Sequence, residues 1–195
     1  MCEYHPELIN KLNLIKETNR LDPKLKGSVL KFLFVFNVFE SEFFKEPKWV
    51  DTKEDCKSDY KSVKVRSSEI QRLCNENNYS VSIIEKLHSH FASVYLDGTM
   101  CSERFNSLRK NEYNKNGFSN KEFNHLYDFL NEPITQNRKY GIKNSLFLAY
   151  KFRNNLFHGK KDIRYLEEYE DDFEIITEFL ISLMKYLDEI GAEYF

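Results

Sequence analysis

An all-α fold is what this chain predicts, and three observations carry the prediction. Apolar residues recur at three- and four-residue intervals through most of its length. Proline, glycine and capping residues cut that pattern into helix-length segments. Alternation of the kind a strand needs is confined to the brief run 62–66. At 195 residues the chain is long enough to bury a sizeable core, and one domain spanning 1–195 is expected.

Each segment has its own signals. Leu8, Leu12 and Ile15 share one face of a first helix running from Pro6 to about Leu21. Asp22-Pro23 supplies an N-cap and a first-turn proline for a second, over about 24–45. Its Leu25, Val29, Phe32, Phe36, Phe39 and Phe43 alternate in fours and threes, and Leu30, Leu33 and Phe44 form a second stripe. A helix apolar over so much of its circumference belongs in the middle of a core. Asn37 and Glu40 interrupt the second stripe and need partners: each other, a neighbouring helix, or a site near Arg153.

Glu46-Pro47 ends that helix, and 47–66 reads as a charged, irregular insertion anchored by Trp49. Ser68-x-x-Gln71 and Ser82-x-x-Glu85 resemble capping boxes, opening helices to about Asn75 and about Tyr95. Asp97-Gly98 turns the chain, a short helix fits 102–110, and Ser119-x-x-Glu122 caps one with Phe123, Leu126, Tyr127 and Leu130 inward. Pro133 separates it from a helix that begins between Lys139 and Asn144 and ends before Gly159. Asp162 can cap the last helix, whose stripe is Phe173, Ile176, Phe179, Leu180, Leu183 and Leu187. The short link makes the last two helices antiparallel neighbours in a bundle.

Charge is nearly balanced at −2 but uneven. Residues 164–195 hold ten acids and two bases, whereas the other 163 hold 27 bases and 21 acids. That asymmetry permits a basic surface facing RNA, and equally permits solvated helix faces of mixed sign. Four scattered cysteines form no C-x-x-C pair and read as reduced thiols of a cytoplasmic protein. No apolar run is long enough for a membrane span, and Met-Cys-Glu-Tyr-His-Pro lacks a signal-peptide pattern. His88 and His90, two apart on a helix, diverge too far to chelate one metal; they, His5 and His125 read as packed or surface residues. Nothing suggests a metal-binding carboxylate cluster, a Walker loop or a dinucleotide turn, so no cofactor is expected.

Chemistry concentrates in Lys151-Phe-Arg-Asn-Asn-Leu-Phe-His-Gly-Lys-Lys161. On a wheel, Arg153 falls within an apolar arc of Leu146, Ala149, Tyr150, Leu156 and Phe157. A guanidinium cannot shed its charge, so burial demands a partner, and Glu40 is a candidate. Asn154 and His158 are four apart and share a face; His158 reaches the helix C-terminus, where the dipole favours an imidazolium. A fixed cation and a titratable imidazole suit phosphate chemistry. RNA carries its own nucleophile, the 2′-OH, so a protein need only move protons and stabilise charge on phosphorus.

Arg153-Asn154-x-x-x-His158 resembles the R-N-x-x-x-H signature of the HEPN superfamily, and the run RNNLFHG is similar to bacterial HEPN proteins of defence and toxin systems. Its place, closing a penultimate helix before one long final helix, matches, and Phe32 to Phe44 resembles an early HEPN helix. The likeness covers roughly 28–45 and 140–190. It implies a HEPN-like antiparallel bundle and a metal-independent endoribonuclease whose site is shared across a homodimer. Arg153 and His158 would be catalytic, and Asn154 would orient the histidine or the phosphate. Lys151, Lys160 and Lys161 are candidate phosphate contacts, with Asn37 and Glu40 as supporting polar groups. An antitoxin or sensor partner is also implied. One departure stands out: toxins of this family paired with a minimal nucleotidyltransferase carry a modified tyrosine two residues after the histidine, and here that residue is Lys160. The alternative is a non-catalytic HEPN-type module for dimerisation or for nucleotide or protein binding. Arg153 would then be a packed ion-pair partner and His158 a helix cap.

Overall fold

The structure, a computed structural model, describes residues 22–43, 59–77, 79, 82–110, 120–133, 141–157 and 163–191. Among them are seven α-helices, one 3-10 helix and a minimal hairpin. In order these are α1 (Pro23–Phe43), α2 (Asp59–Glu76), α3 (Ser82–Tyr95), β1 (Leu96–Asp97), β2 (Met100–Cys101) and α4 (Glu103–Lys110). There follow α5 (Asn120–Asn131), α6 (Gly141–Phe157), the 3-10 helix (Ile163–Tyr169) and α7 (Glu170–Glu189). The all-α expectation holds. The predicted first helix and Trp49 lie outside the described residues.

The long helix α7 is packed on by α1, α3 and α6. Its Phe173, Ile176, Phe179, Leu180, Leu183 and Leu187 are buried, the stripe the periodicity predicts. Lys24 and Ser28, one turn apart on α1, reach Glu170 and Glu174, one turn apart on α7, so these two helices advance in the same direction. On the other side Lys86 and His90 of α3 meet Glu178 and Asp172, which makes α3 antiparallel to α7. Phe152 of α6 lies between them, its ring 5.9 Å from Phe91, 5.6 Å from Phe173 and 6.2 Å from Tyr169. All three are edge-on contacts, each adding about 0.5–1.5 kcal/mol beyond the area buried.

Three expectations need correction. The insertion expected to be irregular over 47–66 is helical from Asp59 onward, so the run 62–66 is no strand. Ser67, Ile70, Gln71 and Cys74 form one buried face at helical spacing, and packing it against α6 outweighs the weak local propensity. Ser68 is therefore inside α2 rather than its cap. Gln71 caps a different helix: its Oε1 accepts the Lys143 N–H at 3.1 Å, an orphan donor in the first turn of α6. Finally, α7 starts at Glu170, preceded by the 3-10 turn; Tyr169 occupies the N-cap without a side-chain cap bond, and Glu170, Asp171 and Asp172 offset the helix dipole.

Other signals are met as read. The Lys24 N–H donates to Asp22 Oδ1 at 2.9 Å, as an N-cap should. Gly98, at φ 61°, makes the turn between β1 and β2. His88 is a packed residue: its Nε2–H donates to the carbonyls of Phe129 (2.8 Å) and Glu132 (3.0 Å), closing the C-terminal end of α5. No helix among the described residues is long and apolar enough to cross a membrane.

Gly141 opens α6 where that helix presses on α3. A Cβ there would stand 2.8 Å from Ile84 Cγ2, a branched atom next to the backbone that cannot swing aside. Gly141→Ala is expected to cost about 1–3 kcal/mol through overpacking, despite alanine's better helix propensity, as a lower urea midpoint at unchanged m-value.

Candidate functional site

The C-terminal half of α6 carries Arg153, Asn154 and Asn155. The helix is enclosed on most sides: of the arc expected around Arg153, Leu146, Ala149, Tyr150 and Leu156 are buried within the chain itself. Those four side chains of the arc are therefore consumed by the chain's own core rather than presented to a second motif helix. Arg153 emerges at its edge. Its Nη1 donates to Asn154 Oδ1 at 2.9 Å, and its Nη2 faces Glu40 Oε2 at 3.5 Å. The two ion-pair side chains are 28% and 32% exposed, so water screens them and the pair is worth about 1 kcal/mol or less. Asn37, one turn earlier on α1, is exposed and takes no part.

The remaining candidates fare unequally. Lys151, expected to contact phosphate, is 3% exposed with its Nζ 5.1 Å from the centre of the Phe123 ring. An ammonium enclosed there is a core cation held partly by the ring face, not an outward phosphate contact. His158, Lys160 and Lys161 lie outside the described residues. Asn155, the next residue along the motif, is buried and its Nδ2 has no hydrogen-bond partner among the described residues. The structure thus brings Arg153, Asn154 and Glu40 together and leaves Asn37 and Lys151 elsewhere.

A second polar centre lies at the start of α7. Asp172, 1% exposed in the first turn of α7, takes three donors. His90 Nε2 lies 2.6 Å from Oδ1; the Tyr95 hydroxyl donates to Oδ2 at 2.8 Å and Arg104 Nη2 to the same oxygen at 3.0 Å. Arg104 also donates to the Glu168 carbonyl and lies over the Tyr169 ring, 4.5 Å from its centre. Burial, reinforced by the Asp172 charge, pushes the Tyr95 phenol well above its usual range, so it stays a donor. One carboxylate thereby ties α3, α4 and the start of α7. A signal for it existed: Asp172 lies one turn before Ile176, in line with the buried stripe, where an acid must find partners.

Among the described residues, no three His, Cys, Asp or Glu side chains converge as a metal site. What the α6 end offers is a water-accessible guanidinium with a carboxamide beside it, suited to gripping an oxyanion. The Asp172 centre offers a saturated carboxylate, suited to holding helices together.

Asp172→Asn should lower stability by roughly 2–4 kcal/mol, short of the fully buried range because His90 and Arg104 keep some water. Asp171→Asn, on the exposed side of the same turn, should change the denaturant midpoint little, and comparing the two separates burial from helix-dipole loss.

Compared with protein-family models, with curated proteins and with solved structures, the chain matches none. Function must therefore be read from these side chains.

Proposed function

We propose that the chain is a metal-independent endoribonuclease of HEPN type, cutting RNA at a site built from two copies of itself. The observation that carries this is Arg153, a cation on an otherwise enclosed helix, reaching water with Asn154 beside it and a screened carboxylate opposite. In the reaction a 2′-oxygen attacks the adjacent phosphorus as its proton leaves, and the bond from phosphorus to the 5′-oxygen breaks as that oxygen gains a proton. His158 handles protons near neutral pH, Arg153 binds the non-bridging oxygens as negative charge builds, and Asn154 fixes the guanidinium plane. The products are a 2′,3′-cyclic phosphate and a 5′-hydroxyl.

A second copy enters because one arginine and one histidine per chain diverge on a helix, so two motifs complete one site. With the arc around Arg153 consumed, the surface that fits is on α1. Leu30 and Phe34, one turn apart, are 45% and 69% exposed, on the helix that also carries Glu40. The interaction-module alternative has an observation of its own: Glu40 is the acid that a purely packed Arg153 would need.

Arg153→Ala and His158→Ala should each slow cleavage of single-stranded RNA by a factor of about 10²–10³. The double variant should be scarcely slower, since the two act in one transition state. Cleavage should continue in EDTA and stop on a substrate with a 2′-deoxy residue at the cut. Undiminished activity in both single variants would return the chain to the interaction module.

Sedimentation at micromolar concentration should give about twice the 23.4 kDa chain mass. Phe34→Asp should halve that mass and abolish cleavage while leaving the helical circular dichroism intact; a monomeric wild-type protein with full cleavage would remove the shared site.

A further inference from the structure

We infer that Glu40 is a resident competitor for the RNA phosphate: its carboxylate occupies Arg153 in the resting chain and gives way when RNA binds. This rests on the ribonuclease reading above and concerns regulation of the same site. Carboxylate and phosphate oxygens are alternative ligands of one guanidinium fork, so whatever holds Arg153 through Nη2 stands where a non-bridging oxygen would.

The geometry is that of an exchangeable contact. Only Nη2 faces Glu40, and at 3.5 Å it lies well outside the roughly 2.7–2.9 Å of a strong charge-assisted bond. Both partners keep about a third of their side-chain surface in water, while Phe152 before Arg153 and Asn155 and Leu156 after it are buried. A displaced Glu40 is therefore hydrated at once, and the helix presenting Arg153 has no need to move. Position argues the same way. Glu40 lies in the last turn of α1, which carries no base, and a carboxylate at a helix C-terminus opposes the dipole. It does nothing for its own helix; among the described residues its one partner is Arg153 of α6.

Exchange then has a sign. An arriving phosphate must break the pair and meets like-charge repulsion from the departing carboxylate. Glu40 thus lowers apparent affinity for RNA, and for any shorter anion, through Arg153 alone. Removing the charge while keeping the shape should tighten binding rather than weaken it, the reverse of what a supporting residue would do.

The test uses the full chain and a labelled single-stranded RNA oligonucleotide. Glu40→Gln should lower KM, and the Kd measured in a His158→Ala background, by roughly three- to tenfold, the worth of a screened pair plus the relieved repulsion. The gain should appear in KM rather than kcat and vanish when Arg153 is also alanine. Glu40→Ala provides a second variant, with thermal melts reporting that both fold. If either folded variant leaves Kd unchanged or raises it, while Arg153→Ala weakens RNA binding or cleavage, Glu40 is a positioning residue and the competitor is refuted. If Arg153→Ala alters neither, the ribonuclease reading itself has failed and carries this inference with it.

Discussion

The constraint on which the rest depends is the enclosure of α6. Phe152 is held between Phe91 of α3 and Phe173 of α7, Gly141 presses on Ile84, and Gln71 closes the first turn from α2. A helix fixed on three sides cannot roll. Rotating it by one residue would carry a phenylalanine to the surface and a guanidinium inward, at a cost of several kcal/mol from either change. The direction in which Arg153 leaves the bundle is therefore set by its neighbour Phe152 rather than by the ion pair it makes. The site is rigid in its backbone and loose at its side-chain tips, which suits a charge that must be aimed yet free to change partners.

Much of this was written plainly in the chain. The stripes of α1 and α7 follow from spacing because each helix buries one broad face, and amphipathic period survives in sequence. The Asp22 cap and the Gly98 turn were legible because a local signal there answers a local need. What escaped was non-local. Nothing near Gln71 says that its amide will close the end of α6, 72 positions away. Helix α2 was under-read because its stability lies in a face packed on another helix, not in its own residues. At the candidate site, Glu40 was legible as an acid in need of a partner. Lys151 was misplaced because lysine carries a strong prior for the surface, which the Phe123 ring overrides here.

The acidic C-terminal segment reads differently once folded. Glu170, Glu174 and Glu178 do not form a free negative strip: they meet Lys24, Ser28 and Lys86 from the helices on either side. Each such contact at the surface is worth little. Their spacing nevertheless rejects slipped alignments of α1 and α3 along α7, where like charges would meet. Asp172 does the same from within, at higher stakes, since a buried carboxylate without its donors is far more costly than an exposed one. Net charge in this chain thus describes how helices find their register more than what the surface attracts.

Cys74 sits on the buried face of α2, 2% exposed, and burial pushes its thiol up to about 12. In the closed bundle it is a small apolar group, protonated and out of reach of reagents. It becomes reactive only when α2 lifts from the bundle and its acidity relaxes toward about 8.5. Under conditions where closing outruns chemistry, the rate at which an alkylating reagent captures Cys74 measures the equilibrium of that opening. The chain therefore carries, on the helix that caps α6, its own gauge of the fraction of time the frame around Arg153 stands open.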